Sequence, residues 1–148
     1  VSKRQEIVDA ILTLLSIVRY PVDTDEVSVG CRVFDWRKLP PAKKDVPAIV
    51  VWDLLCEISP SGTSVGYHRH TLTVEVGVFV DSKFTPKQIR SFCETIVHQF
   101  SLDPFLGDIL EEPVFVSSIN MSAADVGEVI VAAVVGLSCV YKTEVWCV

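Results

Sequence analysis

His68 and His70 stand two apart in an alternating segment, YHRHTLTVEVGVFVDS (residues 67–82). Both imidazoles therefore leave the same face of a strand. Two histidines at that spacing can share one metal ion. Such a site needs a third and usually a fourth ligand, and no further His or Cys lies close in sequence. The expectation is a pair of surface or interface histidines at the start of a strand. Cys93 and His98 offer a thiol and a base, but they are five apart on one helical segment. At 3.6 residues per turn they point roughly 140° apart, which is poor geometry for a dyad. Cys93 also belongs to an apolar stripe and reads as core. Asp23, Asp25 and Glu26, and then Glu111 and Glu112, are acidic clusters that can bind a divalent ion or share acid–base work. No metal-loop pattern accompanies them, so they read as solvated loop charges. No P-loop, GxGxxG, GxSxG or HExxH pattern occurs. The expectation is no catalytic residue, no cofactor and no metal, and a chain that is not an enzyme.

Bulk composition agrees with that expectation. The chain has 148 residues, enough for one domain with its own core. Charged residues make up only 22% and the mean hydropathy is +0.41, so apolar surface is in surplus and should go into protein contacts. No run approaches the ~18 apolar residues of a membrane span. Glu6 and Asp9 break the apolar run at the start, so a signal peptide is not expected. The net charge of −6 disfavours a DNA-coating role, which needs a basic face. Positive charge gathers only in WRKLPPAKKDVP, at Lys38, Lys43 and Lys44. The five cysteines are odd in number and widely spaced, without a C-x-x-C. They read as reduced, with Cys56, Cys93, Cys139 and Cys147 as small buried hydrophobes of a chain folding in the cytoplasm.

Positioning falls to α and β elements in an order the patterns predict. Ser2 with Gln5 forms a capping box for a first helix over residues 3–19, ended by Pro21. Val27, Val29, Cys31 and Val33 alternate as a strand, and residues 35–47 form a Pro-rich loop. Residues 48–58 and 67–82 are two strands around the polar turn 59–66, an extended hairpin whose tip projects beyond the domain body. Leu72, Val74, Val76, Val78 and Val80 line one face of the second strand. Thr85, Pro86 and Gln88 start a second helix with the stripe Ile89, Phe92, Cys93, Ile96, Val97 and Phe100. A short helical turn, PFLGDIL, follows. Residues 113–121 and 128–140 are further strands. The second is apolar on both faces, as in mid-sheet, with Ala132, Ala133 and Gly136 suited to packing under a helix; a buried helix is its rival. The fold class is α+β: a mixed, mainly antiparallel sheet with two main helices on one face.

Candidate contact residues sit where turn-rich segments flank long apolar strands. They are Trp36, Lys38, Lys43 and Lys44 in the Pro/Lys loop, Ser61 and Thr63 in the hairpin turn, Tyr67, His68, Arg69 and His70 beside it, and Trp146 near the end. Arg69 is placed to meet an acidic neighbour. Trp52 reads as core.

The order of these segments resembles the tail terminator (tail completion) family of long-tailed bacteriophages, the group around the lambda minor tail protein U. The matching features span about 140 residues: the leading helix with ILTLLS, the strand VPAIVVWD, the strand Y-x-R-x-TLTVEVGVFVDS, the helix SFCETIVHQFSLDPFLGDIL with its D-P-x-L-G turn, and the closing strand GLSCVYKTE with an aromatic-x-Thr ending at Tyr141 and Thr143. The tail VWCV and the histidine pair depart from the pattern. The resemblance implies a ring, usually of six copies, on the end of a completed tail tube. That ring stops polymerisation and meets a head-side connector protein. Its partners would be itself, the tail tube protein and the connector, with DNA passing through unbound and no membrane involved. Its place would be the virion tail or neck, after assembly in the host cytoplasm. Another neck component, a tube-like subunit, or a small cytoplasmic enzymatic or ligand-binding domain are the alternatives.

Overall fold

A computed structural model of the chain describes residues 2–22, 25–28, 33–36, 41, 46–60, 66–81, 83–126 and 129–144. Among them are two helices, α1 (Lys3–Leu15) and α2 (Pro86–Leu102), and seven strands: β1 (Arg19–Val22), β2 (Asp25–Ser28), β3 (Val33–Asp35), β4 (Ala48–Pro60), β5 (Tyr67–Val80), β6 (Phe115–Val126) and β7 (Val129–Glu144). None of the described helices is long and apolar enough to cross a membrane.

β3 to β7 form one five-stranded sheet in the order β3-β4-β5-β7-β6. Only β3 and β4 run parallel; the other pairs are antiparallel. The fold is the expected α+β arrangement. β5 is central, and its alternation puts Leu72, Val74, Val76 and Val78 at no exposure. These side chains meet Ile7, Ile11 and Leu15 of α1 and Phe92, Cys93, Ile96 and Phe100 of α2 in one core, so both helices cover the same face. A smaller cluster lies on the opposite face: Val46, Ala48, Val50 and Phe79, with Phe34, Trp52 and Val131 against it. Trp52 belongs to that cluster and packs edge-on to Phe79, with ring centroids 6.2 Å apart.

α1 ends four residues before the expected boundary. Val18 is buried as the periodicity demands, but it gets there through a turn, with its amide on the Leu15 carbonyl at 3.1 Å. Pro21 falls in β1, which among the described residues pairs only with β2, so one edge of the strand tolerates its missing N–H. Of the strand expected over residues 27–34, the described residues belong to β2 and β3, which lie in different sheets. The α1 capping box is half made: Ser2 accepts the Gln5 amide, whereas the Gln5 side chain donates to Asp9. The α2 box is complete, with Thr85 Oγ1 accepting the Gln88 amide and Gln88 Oε1 accepting the Thr85 amide.

The PFLGDIL segment is not a right-handed helical turn. Leu106, Gly107 and Asp108 all have positive φ, at 48°, 67° and 64°. Asp103 holds the turn, with its carboxylate on the Gly107 amide at 3.0 Å and its carbonyl on the Leu106 amide at 3.2 Å. This winding sends Leu106 and Leu110 into the core. From Val129 on, the segment expected as a strand over residues 128–140 is β7, and Ala132 and Ala133 lie in the helix-covered core. Gly136 does not pack under a helix. A Cβ there would meet Ser118 Oγ at 2.5 Å and Ser117 Oγ at 2.9 Å, where β6 bulges against it.

Candidate functional site

β4 and β5 form the expected hairpin, whose far end carries exposed Ile58, Ser59 and Pro60 opposite His70, Arg69 and His68. β7 runs alongside to Glu144, paired with Tyr67. Near this end the β4–β5 register shifts between Asp53 and Cys56, and Leu54 and Leu55 turn outward. Leu54, Leu55, Ile58 and Tyr67 are exposed apolar side chains toward this end. On β6, Phe115 is 66% exposed, and Ile119 and Met121 are each 48% exposed. Ile119 and Met121 pair with Val135 and Ala133, so they point to the helix side of the sheet. The helices do not reach far enough to cover them. The sequence reading placed a strand here but missed this surface; its signal was an apolar alternation without a covering element.

Of the expected contact residues, Lys38, Lys43, Lys44, Ser61, Thr63 and Trp146 lie outside the described residues, as do Cys31 and Cys147. Trp36 is half exposed with φ of 46°, and its indole N–H donates to Asp53. The same carboxylate accepts from Arg4 Nε at 2.5 Å, which ties α1 to β4. Loss of hydration, then the Asp53 and Asp9 carboxylates, push the Asp35 carboxyl above its ordinary value. Tyr67 is exposed and His68 half-buried. Arg69 finds its acidic partner within the chain, at Glu112, in an exposed pair of small energetic weight. Glu111 pairs with Lys142 at 2.7 Å. These two glutamates are thus ion-paired and not simply solvated.

His70 overturns the reading of surface histidines. It is 1% exposed, and its ring stacks on Tyr141 at 4.7 Å and 10°. Its Nε2 lies 2.7 Å from Thr143 Oγ1, and its Nδ1 lies 3.5 Å from Cys56 Sγ. Cys56 Sγ in turn lies 3.6 Å from the Tyr141 hydroxyl. Burial first, then the charges of His68 and Lys3, lower the His70 pKa from its ordinary value. Burial likewise raises that of Tyr141. Cys56 is therefore not a plain small hydrophobe: it belongs to a polar cluster drawn from three strands. A faint signal existed. Cys56 and His70 stand seven residues either side of the middle of the hairpin turn, close enough in register to be diagonal neighbours on one face. Cys93 is buried in the α2 stripe and His98 is exposed, so no dyad forms there. Cys56, Cys93 and Cys139 are free thiols.

Among the described residues no group of three or more His, Cys, Asp or Glu side chains is placed to hold a metal ion. A groove of about 360 Å³ lies between the end of α1 and the left-handed turn, lined by Ala10, Thr13, Leu14, Ile17, Asp103 and Leu106. Its one charged group, Asp103, already accepts the Gly107 amide. No protein-family model matches the chain, and no curated protein matches it.

Proposed function

We propose that this chain is a structural subunit that closes into a ring, caps the tail tube of a long-tailed phage, ends tube polymerisation and offers a surface to the head-side connector. What supports the reading is the segment order over the chain's length: a leading helix, a long hairpin, a capped helix and a closing strand ending in Tyr141 and Thr143. The observation that carries it furthest is the β6 edge. Strand β6 is long, no described strand lies along its outer side, and Phe115, Ile119 and Met121 are exposed on it. Unpaired strand edges and exposed apolar groups are what subunit contacts use. The other edge, β3, is only three residues long. A ring needs two different patches that meet head to tail with a rotation that closes. The β6 surface and the apolar hairpin end are two such patches, separated by β5 and β7. The net charge of −6 also suits a passage through which DNA slides without sticking.

Native mass spectrometry and electron microscopy of tails carrying the chain test the proposal. A closed ring at the tube end, of six copies, is the expected result. Tube protein polymerised with the purified chain should stop at defined ends. A monomer or a two-fold dimer in the assembled particle, or tubes that lengthen unchecked, would rule the function out.

A further inference from the structure

We propose that Cys56 is the nucleophile of a thiol–disulfide exchange site, with His70 as its base and a small organic disulfide as its substrate. Thr143, His70, Cys56 and Tyr141 lie in a chain of hydrogen-bonding contacts. Thr143 Oγ1 lies 2.7 Å from His70 Nε2, where it can accept a proton carried on Nε2. With the proton on Nε2, the Nδ1 lone pair faces Cys56 Sγ, 3.5 Å away. In that tautomer the Cys56 S–H donates to Nδ1, and the Tyr141 O–H, 3.6 Å from the sulfur, is free to donate to it. Burial keeps the Tyr141 hydroxyl protonated, so that donor persists as the sulfur gains charge. The Tyr141 ring lies flat on the imidazole, which holds the ring plane fixed and favours a cation forming on it. Each group thus does what a thiol nucleophile needs: a base, a base-orienting hydroxyl and a donor to the developing thiolate.

The reaction balances within the cluster. The Cys56 proton passes to His70 Nδ1 as the sulfur attacks one sulfur of the disulfide. A new S–S bond forms, the old one breaks, and the departing thiolate takes the proton back from His70. Access exists at Cys56 alone among the described cysteines. It is half-buried, beside the outward-turned Leu54 and Leu55, whereas Cys93 and Cys139 are enclosed. Burial pushes the Cys139 thiol up to about 12 and also raises Cys93, so both serve as slow internal references. The charged and titratable groups facing the cluster are Lys3 and Arg4 from α1, His68 from β5, and Cys139 and Tyr141 from β7.

The test is exchange of the purified chain with 2,2′-dithiodipyridine at about pH 6, where an ordinary thiol is almost wholly protonated. Site-resolved rates come from peptide mass mapping. Native Cys56 should react about tenfold or more faster than the same thiol in the denaturant-unfolded chain, within the range a positioned base contributes. H70Q should erase that advantage. Circular dichroism checks that H70Q folds. Should it not fold, Y141F decides instead: it keeps the stacked ring, loses only the hydroxyl on the sulfur, and should slow exchange several-fold. A native Cys56 no faster than in the unfolded chain would overturn the proposal. So would full native rates in a folded H70Q, or, where H70Q does not fold, full native rates in Y141F.

Discussion

At the scale of single residues, space and charge are set by neighbours on other strands. Gly77 lies on the face opposite the helices, beneath Trp52. A Cβ there would sit 2.5 Å from Trp52 Cζ3 and 2.9 Å from Cη2, with the Phe79 ring at 3.3 Å. The indole is rigid and held edge-on to Phe79, so it cannot yield cheaply. Gly77→Ala should therefore destabilise the chain by about 1–3 kcal/mol, read as a lower urea midpoint. His70 makes a second prediction. Its pKa in the folded chain is lowered from 6.5, chiefly by burial, whereas the unfolded chain binds the proton at the ordinary value. As pH falls through 6.5 the unfolded state takes up a proton that the folded state refuses. Stability is thus full above that value and declines below it. Urea unfolding between about pH 8 and pH 5.5 should show this decline in the wild-type chain, and H70Q should remove His70's share of the slope.

At the scale of elements, the two helices depend on their ends to different degrees. α2 has Pro86 at its start and a reciprocal Thr85–Gln88 cap, and its stripe of Phe92, Cys93, Ile96 and Phe100 is buried. α1 has only the Ser2 half of its box, but Arg4 anchors it to Asp53 and to the carbonyls of Asp53 and Leu54. Thr85→Ala leaves the Gln88 amide without its acceptor and should cost about 1 kcal/mol. Thermal or urea unfolding measures that loss, with the oligomeric state held fixed. β6 and β7 show how bulges do local work. The extra residue near Ser117 brings two serine hydroxyls over Gly136, and the shift between Val78 and Phe79 inserts Ala132 into β7.

At the scale of the whole molecule, the sheet is covered unevenly. Helices seal β5, β7 and the first half of β4 but leave Ile119 and Met121 on the helix side of β6 in the open. Under the proposed ring these side chains meet the next subunit. The double variant Ile119→Lys, Met121→Lys should fold normally, because both sites are surface positions where substitutions stay within about 0.5 kcal/mol. It should nevertheless lose ring formation, since two ammonium groups cannot be buried there unpaired. Native mass spectrometry that still finds the ring at full occupancy would remove β6 from the contact.

The local signals in the chain sufficed wherever neighbours in sequence decide the outcome. Period-two alternation in residues 72–80 alone specified the buried face of β5, and the Thr-Pro-x-Gln start alone specified the beginning of α2. The α+β class followed from the order of such segments. Periodicity could not place the end of α1, because Val18 satisfies helical spacing while reaching the core through a turn. Nor could it see the left-handed winding at Leu106, which depends on Asp103 closing over Gly107. The polar cluster needed the tertiary structure most. Cys56, His70, Tyr141 and Thr143 are spread over nearly ninety residues of chain, and only the pairing of β4 with β5 and of β5 with β7 brings them together. Register between strands is a property of the closed sheet, set by bulges and by which face must be buried, and no single segment contains it.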